Sequence, residues 1–279
     1  IATDGNGVYK LNMNTLQLHS FLSTTQESDK MNGDIIKDIY LDEEGRVWMT
    51  VFPFSVTIYS DKYPKYEWLH QTNNDSQSLA NSRVTQVIED SDGDIWVTTN
   101  NGIGCYHTRT KQWTTLLSSH DQNRQDQNYV YISLCESTPG TILVGGYMSG
   151  MYRINKRDMR PQYFSPQQEG YTDIRPDKYI RSIYRDEQGT VWAGGYYNFK
   201  SMNFATGQID HYQTEYPISV ITSKSDKELW VGTVNGIYKF NKQKKEFERE
   251  PLLTDMGAVN TIYQADNQLT YIGTHGSGL

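Results

Sequence analysis

The carboxylates of Asp90-Ser91-Asp92-Gly93-Asp94 alternate as they do at the start of a calcium loop. An EF-hand loop closes with a glutamate at its twelfth position. Counted from Asp90 that position is Asn101, so the segment reads as a tight hairpin turn. The histidines His19, His70, His107, His120, His211 and His275 fit neither an H-E-x-x-H motif nor an i, i+4 pair, and no metal is expected from them. Cys105 and Cys135 are too few for a disulfide framework or a zinc site. No G-x-S-x-G elbow, phosphate-binding loop or dinucleotide fingerprint occurs, so neither a catalytic residue nor a cofactor is expected.

The remaining chemistry is that of recognition. Tyrosine rings stack on the C–H faces of sugars while their hydroxyls, with amides and guanidinium groups, supply polar contacts. Arginine pairs with an acidic sugar. Gly194-Gly195-Tyr196-Tyr197-Asn198 places two tyrosines and an amide in one short loop, where the corresponding loops are mostly small and polar. Phe52, Phe54, Asn100, Tyr147 and His275 follow other strands at the same phase, and Arg83, Tyr129, Tyr179 and Arg181 lie in or beside segments that connect units. These twelve residues, Tyr196, Tyr197 and Asn198 included, are the candidate ligand contacts. The bland alternative is that they plug a funnel or touch a neighbouring domain.

What positions them is a repeat. The segments at Gly45–Thr50, Gly93–Thr99, Gly140–Gly146, Gly189–Gly195, Lys227–Thr233 and Asn267–Thr274 align on Trp48, Trp96, Leu143, Trp192, Trp230 and Tyr271, at steps of 48, 47, 49, 38 and 41 residues. A period of roughly 40–50 residues is that of propeller blades. Each unit reads as four short strands with period-2 alternation. The first is like Arg83–Asp90, and an Asp-x-x-Gly turn follows it. The second carries the large anchor, the third is like Gly236–Asn241 and the fourth like Lys111–Leu117. The anchor is expected to fill the wedge between blades, with small residues after it where strands crowd toward the axis. Trp68 and Trp113 are expected to pack between blades as well.

The fold class is therefore all-β, a β-propeller of four-stranded blades. Five complete and two partial units occupy seven blade positions, or six blades if the ends merge. The opening Ile1-Ala2-Thr3 and the late Tyr271-Ile272-Gly273-Thr274 would then both claim one second strand. Residues 1–279 are accordingly expected to be a single propeller domain and a window of a longer multi-propeller chain.

Composition agrees and narrows the partners. The formal charge of −7 argues against a phosphate-neutralising nucleic-acid binder. Mean hydropathy is −0.70, yet 13% of residues are aromatic, with 21 Tyr against 8 Phe, which is not a disordered composition. No apolar run approaches the ~20 residues of a membrane helix, and the sequence does not open on a basic-then-apolar leader. No membrane contact by these residues is expected.

The unit V-x-x-I-x-x-D-x-x-G-x-[IVL]-W-[VA]-[GT]-T-x-x-G-[IV]-x-x-[FILY]-[ND] resembles the two-component regulator propeller repeat. The best copies are Val84–Tyr106 and Ile180–Asn203; Ile218–Asn241 matches in its second half and lacks the turn glycine. The resemblance implies a periplasmic sensor region of a hybrid two-component signalling protein. It implies an oligosaccharide ligand, an adjacent propeller and an immunoglobulin-like domain in the same chain, and a homodimer in the full-length sensor. The kinase would lie elsewhere, and this stretch would perform no chemistry.

Two other classes remain open. The turn with Gly93 three residues before Trp96 also resembles the Asp-box of sialidases, itself a structural turn. A propeller glycoside hydrolase or lyase would need converging catalytic groups in its funnel. A protein-interaction scaffold would instead show an exposed apolar patch.

Overall fold

The computed structural model of the chain describes residues 1–13, 15–21, 33–53, 55–60, 63–69, 71, 77–120, 128–164, 178–196, 198–250, 257–265 and 269–275, with the backbone alone at 19–21 and 63–68. Two strands open it, β1 (Val8–Leu11) and β2 (Leu18–Phe21), paired antiparallel. Blade 1 is β3 (Ile35–Leu41), β4 (Val47–Phe52), β5 (Ser55–Ser60) and β6 (Tyr63–Leu69). Blade 2 is β7 (Val84–Glu89), β8 (Ile95–Thr99), β9 (Gly102–His107) and β10 (Gln112–Leu116). Blade 3 is β11 (Tyr131–Thr138), β12 (Thr141–Gly146), β13 (Met151–Asn155) and β14 (Arg160–Phe164). Blade 4 is β15 (Ile180–Arg185), β16 (Val191–Gly195), β17 (Asn198–Asn203) and β18 (Gln208–Gln213). Blade 5 is β19 (Ile218–Ser225), β20 (Glu228–Thr233), β21 (Gly236–Asn241) and β22 (Glu246–Arg249), and a last pair follows, β23 (Val259–Gln264) with β24 (Thr270–Thr274). Within every blade the strands pair in chain order. Five complete blades and two partial ones are thus present among the described residues, as the repeat predicts. No helix among the described residues is long and apolar enough to cross a membrane.

Tertiary contacts divide the chain into two compact units, Ile1–Tyr131 and Ile132–Leu279. In each unit the core lies between successive blades. In the first unit Trp48, Val56 and Ile58 of blade 1 pack on Val84, Val87, Ile95, Val97, Tyr106 and Trp113 of blade 2. In the second, Leu143 and Met151 of blade 3 pack on Ile180, Ile183, Val191 and Met202 of blade 4. Trp192 and Phe199 of blade 4 meet Ile218, Ile221, Leu229, Val231 and Phe240 of blade 5 in the same way. Four of the anchors are buried as expected, Trp48 and Trp96 being 1% exposed, Leu143 0% and Trp192 4%, while Trp230 and Tyr271 are only partly buried. Trp113 packs on Tyr106 with ring centroids 5.1 Å apart. The side chain of Trp68 lies outside the described residues.

Sequence reading alone misses what holds the tryptophans. Trp48 Nε1 donates to Asp42 Oδ2 at 2.9 Å, Trp96 Nε1 to Asp90 Oδ2 at 2.8 Å, and Trp192 Nε1 to Asp186 Oδ2 at 2.9 Å. The other carboxylate oxygen closes the turn. Asp90 Oδ1 accepts the N–H groups of Asp92 and Asp94 at 2.9 and 3.0 Å, and Asp42 Oδ1 accepts those of Glu44 and Arg46 at 3.0 and 2.8 Å. One aspartate thus satisfies a buried indole and the turn backbone together, groups that would be costly to leave unpaired. Gly45, Gly93 and Gly189 complete these turns at φ +79°, +79° and +82°, a region where a side chain is strained. The carboxyl of Asp42 is raised by burial but brought net below its ordinary value by the hydrogen bonds from Trp48 and Arg46.

Where the anchor changes, its partner changes with it. Six residues before Leu143 stands Ser137, whose hydroxyl donates to Thr141 O at 3.3 Å. Six before Trp230 stands Lys224, with Nζ 5.2 Å from the centroid of the Trp230 ring, and Trp230 is only partly buried.

The first strands carry a bulge at one repeated place, between Ile36 and Asp38, Val84 and Gln86, Ile180 and Ser182, Ile218 and Val220, and Val259 and Thr261. Successive first strands belong to different sheets, so side chains at or beside the bulge bridge them. Thr85 Oγ1 donates to Tyr131 O at 2.7 Å, Ser133 Oγ to Ile180 O at 3.0 Å and Ser219 Oγ to Val259 O, while Ile221 N–H donates to Ser182 Oγ at 2.9 Å. The small residues after the anchors allow this approach. A Cβ on Gly145 would lie 2.7 Å from Ile180 O, and one on Gly194 2.7 Å from Ile218 Cγ2.

Candidate functional site

In each blade the loop from second to third strand and the segment entering the first strand sit at the same end of the sheet. In the second unit this end carries three of the expected tyrosines. Tyr147 stands in the loop between β12 and β13, Tyr179 immediately precedes β15, and Tyr196 stands between β16 and β17. The structure brings them together. The rings of Tyr147 and Tyr179 meet edge to face at 5.2 Å and 81°, and those of Tyr179 and Tyr196 at 5.2 Å and 77°. Both outer rings are 49% exposed, with Tyr179 half-buried between them. Edge-to-face packing fixes ring orientation and is worth roughly 0.5–1.5 kcal/mol per pair beyond burial. The result is a preformed aromatic ladder whose two outer tyrosines are half-exposed.

Backbone geometry sets the ladder. Gly146 N–H donates to Gly150 O at 2.9 Å and closes the loop bearing Tyr147, with Met148 at φ +61°. Gly150 N–H donates to Lys178 O at 2.8 Å, which ties that loop to the residue before Tyr179. A Cβ on Gly195 would collide with the carbonyl of Tyr179, so only glycine lets Tyr196 come this close. Arg181, two residues beyond Tyr179, is half-buried at the bulge of β15.

The other expected contacts are placed as follows. Asn198 is a correction: it is 5% exposed. It is the first residue of β17 and not part of the loop, and its amide turns inward beside Gly195, where the missing side chain leaves room. His275 is exposed after β24, its N–H donating to Ala258 O at 2.8 Å. In the first unit, Phe52 is 41% exposed, with Lys37 Nζ 5.7 Å from its ring centroid. Arg83 is exposed and Asn100 half-buried, and Asn100 N–H donates to Arg83 O at 3.1 Å. Tyr129 is half-buried and its carbonyl accepts Gly102 N–H at 2.8 Å. Phe54 and Tyr197 lie outside the described residues.

The calcium-loop pattern is accounted for, since Asp90 holds Trp96 and its own turn. Residues 78–101 and 175–197 match the family described as Two component regulator propeller. Those two segments carry that repeat. The matched segments contain the Asp–Trp turns of blades 2 and 4, and the second runs through Tyr179 and Tyr196 of the tyrosine ladder.

No curated protein sequence matches the chain. Among solved structures, the extracellular domain of a protein described as a hybrid two component system of B. thetaiotaomicron matches with a TM-score of 0.80 at 20% identity, over 99% of this chain and 37% of that one. PorZ, described as an essential surface component of the type-IX secretion system of Porphyromonas gingivalis, matches with a TM-score of 0.68 at 17% identity, over 94% of this chain and 40% of PorZ. The computationally designed Ika8 protein matches with a TM-score of 0.63 at 12% identity, over 98% of this chain and 76% of that one. These likenesses are of fold. The chain spans well under half the length of the two natural structures.

Proposed function

We propose that this chain is a propeller from the extracytoplasmic, periplasmic sensor region of a hybrid two-component signalling protein, and that it takes part in oligosaccharide sensing. The observation that carries the reading is the Tyr147–Tyr179–Tyr196 ladder, set on the variable loop end of regulator propeller blades. Rigid, half-exposed rings stack on sugar faces at low entropic cost, and their hydroxyls reach sugar oxygens. Arg181 adds a cation for a carboxylate-bearing sugar. In this reading the chain binds and transmits without performing chemistry and needs no cofactor. Its partners are an adjacent propeller and an immunoglobulin-like domain of the same protein, within a homodimer, and it contacts neither nucleic acid nor membrane.

The test is a transcriptional reporter driven by the full-length signalling protein in its own host. Tyr196→Ala and Tyr147→Ala are expected to lower the response to the inducing glycan while protein level stays unchanged. Turnover of the glycan by the chain, with signalling unaltered in both variants, would overturn the proposal.

A further inference from the structure

At the opposite end of blade 2 from its second-to-third strand loop, Asp94, Cys105 and His107 come together. Asp94 stands at the end of the Asp90 turn, where blades 3 and 4 carry Thr141 and Thr190. Cys105 pairs with Trp96 across β8 and β9, as Ser201 pairs with Trp192 in blade 4. His107, two residues on, occupies the place of Asn155, Asn203 and Asn241. Those asparagines have a structural task. Asn203 Oδ1 accepts the N–H groups of Ala205 and Thr206 at 3.0 and 3.1 Å, and Asn241 Oδ1 those of Gln243 and Lys244 at 3.0 and 2.9 Å. In blade 2 the turn is held by Asp94 instead, whose Oδ1 accepts Thr108 N–H at 3.0 Å. The imidazole is therefore not required for the turn.

The three side chains converge. Asp94 Oδ2 lies 2.7 Å from His107 Nδ1, and Cys105 Sγ lies 3.8 Å from the same nitrogen. All three donor atoms fall within 4.8 Å of one another. Metal–ligand bonds of about 2.0–2.3 Å at tetrahedral angles set donor atoms about 3.3–3.8 Å apart, so the carboxylate and imidazole part slightly on binding and the thiol and carboxylate settle within their present 4.8 Å span. The shell around the donors is already oriented. Thr108 N–H fixes one carboxylate oxygen of Asp94, and Thr114 Oγ1, 3.0 Å from His107 Nε2, holds the far side of the ring. Such a contact fixes ring orientation and tautomer in metal-binding histidines. The thiol forms a floor, Cys105 being 1% exposed, while the Asp94 and His107 side chains are 23% and 31% exposed and open to solvent.

We infer that Asp94, Cys105 and His107 form a three-ligand site for a zinc-class divalent ion, with solvent at the fourth position. One thiolate, one imidazole and one carboxylate suit a borderline-soft, tetrahedral ion better than calcium or magnesium, which take oxygen ligands. On binding, the thiol releases its proton to solvent and the imidazole ligates through Nδ1 as its Nε2–H tautomer, with Thr114 Oγ1 as acceptor, so affinity falls as pH falls. A hydrogen-bonded His–Asp pair alone would not explain the thiol at its edge. Spacing in the sequence hides the site because Asp94 ends the turn before β8 and lies thirteen residues from His107, which it meets only when β8 and β9 pair.

The test uses the full chain and Co²⁺ as probe. One equivalent is expected to give a near-ultraviolet thiolate-to-cobalt absorption that stoichiometric Zn²⁺ abolishes and that persists in Cys135→Ser. Asp94→Thr, Cys105→Ser and His107→Asn install the residues that blade 4 carries at these positions. Each is expected to retain the fold by circular dichroism and to weaken Zn²⁺ binding at least tenfold. Absence of the absorption from the unaltered chain, or its persistence at unchanged affinity in folded His107→Asn, would overturn the inference.

Discussion

The indole N–H of Trp96 donates to the carboxylate of Asp90 at 2.8 Å, across a turn whose backbone the same carboxylate closes. Removing that carboxylate leaves a buried indole N–H and two turn N–H groups without their acceptor. An orphaned buried donor costs about 1–3 kcal/mol. Asp90→Ala is therefore expected to lower unfolding free energy by about 3 kcal/mol in urea titrations. Ser137→Ala, which removes a single hydroxyl bond to Thr141 O in blade 3, is expected to cost about 1 kcal/mol. Equal losses in the two variants would contradict this account of the turn.

Asp38 predicts a dependence on pH. Burial pushes its carboxyl from 3.8 up to about 7, against the lowering effect of the Val87 and Ile39 N–H groups. Between these values the folded chain holds a proton that the unfolded chain has lost, so this residue makes stability fall as pH rises from about 4 to about 7. Above pH 7 both states are ionised and the contribution is flat. Asp38→Ser supplies the hydroxyl that Ser182 presents at the equivalent bulge of blade 4. The variant is expected to gain stability relative to the unaltered chain between pH 5 and pH 8, read as the difference in urea midpoint. A gap that does not change with pH would contradict the assignment.

Gly145 tests the close approach of first strands. Its added Cβ would meet a backbone oxygen, Ile180 O, at 2.7 Å, and backbone in a packed sheet yields little. Gly145→Ala is expected to destabilise by about 2–3 kcal/mol. Gly140→Ala is the comparison: it meets nothing within 4 Å but sits at φ +90°, so its expected cost is about 1 kcal/mol from backbone strain alone. Thermal melting of the two variants measures the difference.

Much of the fold is legible because the anchors Trp48, Trp96, Leu143, Trp192, Trp230 and Tyr271 recur at blade spacing and the strands between them alternate. The bond from anchor to aspartate is harder to read. Its two ends lie six residues apart across a hairpin, and the signal is the paired change from Asp186 and Trp192 to Ser137 and Leu143. At the candidate site, Tyr147, Tyr179 and Tyr196 belong to three separate connections, and only blade packing sets their rings edge to face. Asn198 is misplaced by its neighbours: the loop ends one residue earlier than its polarity implies, and β17 turns the amide inward.

The ladder bears most directly on what the chain does. Isothermal titration calorimetry of the whole chain against a panel of neutral and acidic oligosaccharides is expected to give saturable binding to at least one member. Tyr147→Ala and Tyr196→Ala are each expected to weaken that binding about tenfold, as loss of an aromatic anchor does, with the fold retained and the melting temperature lowered by about 2–4 °C for the lost ring contact. Saturable binding of equal strength in both variants, or no binding to any oligosaccharide tested, would contradict the account.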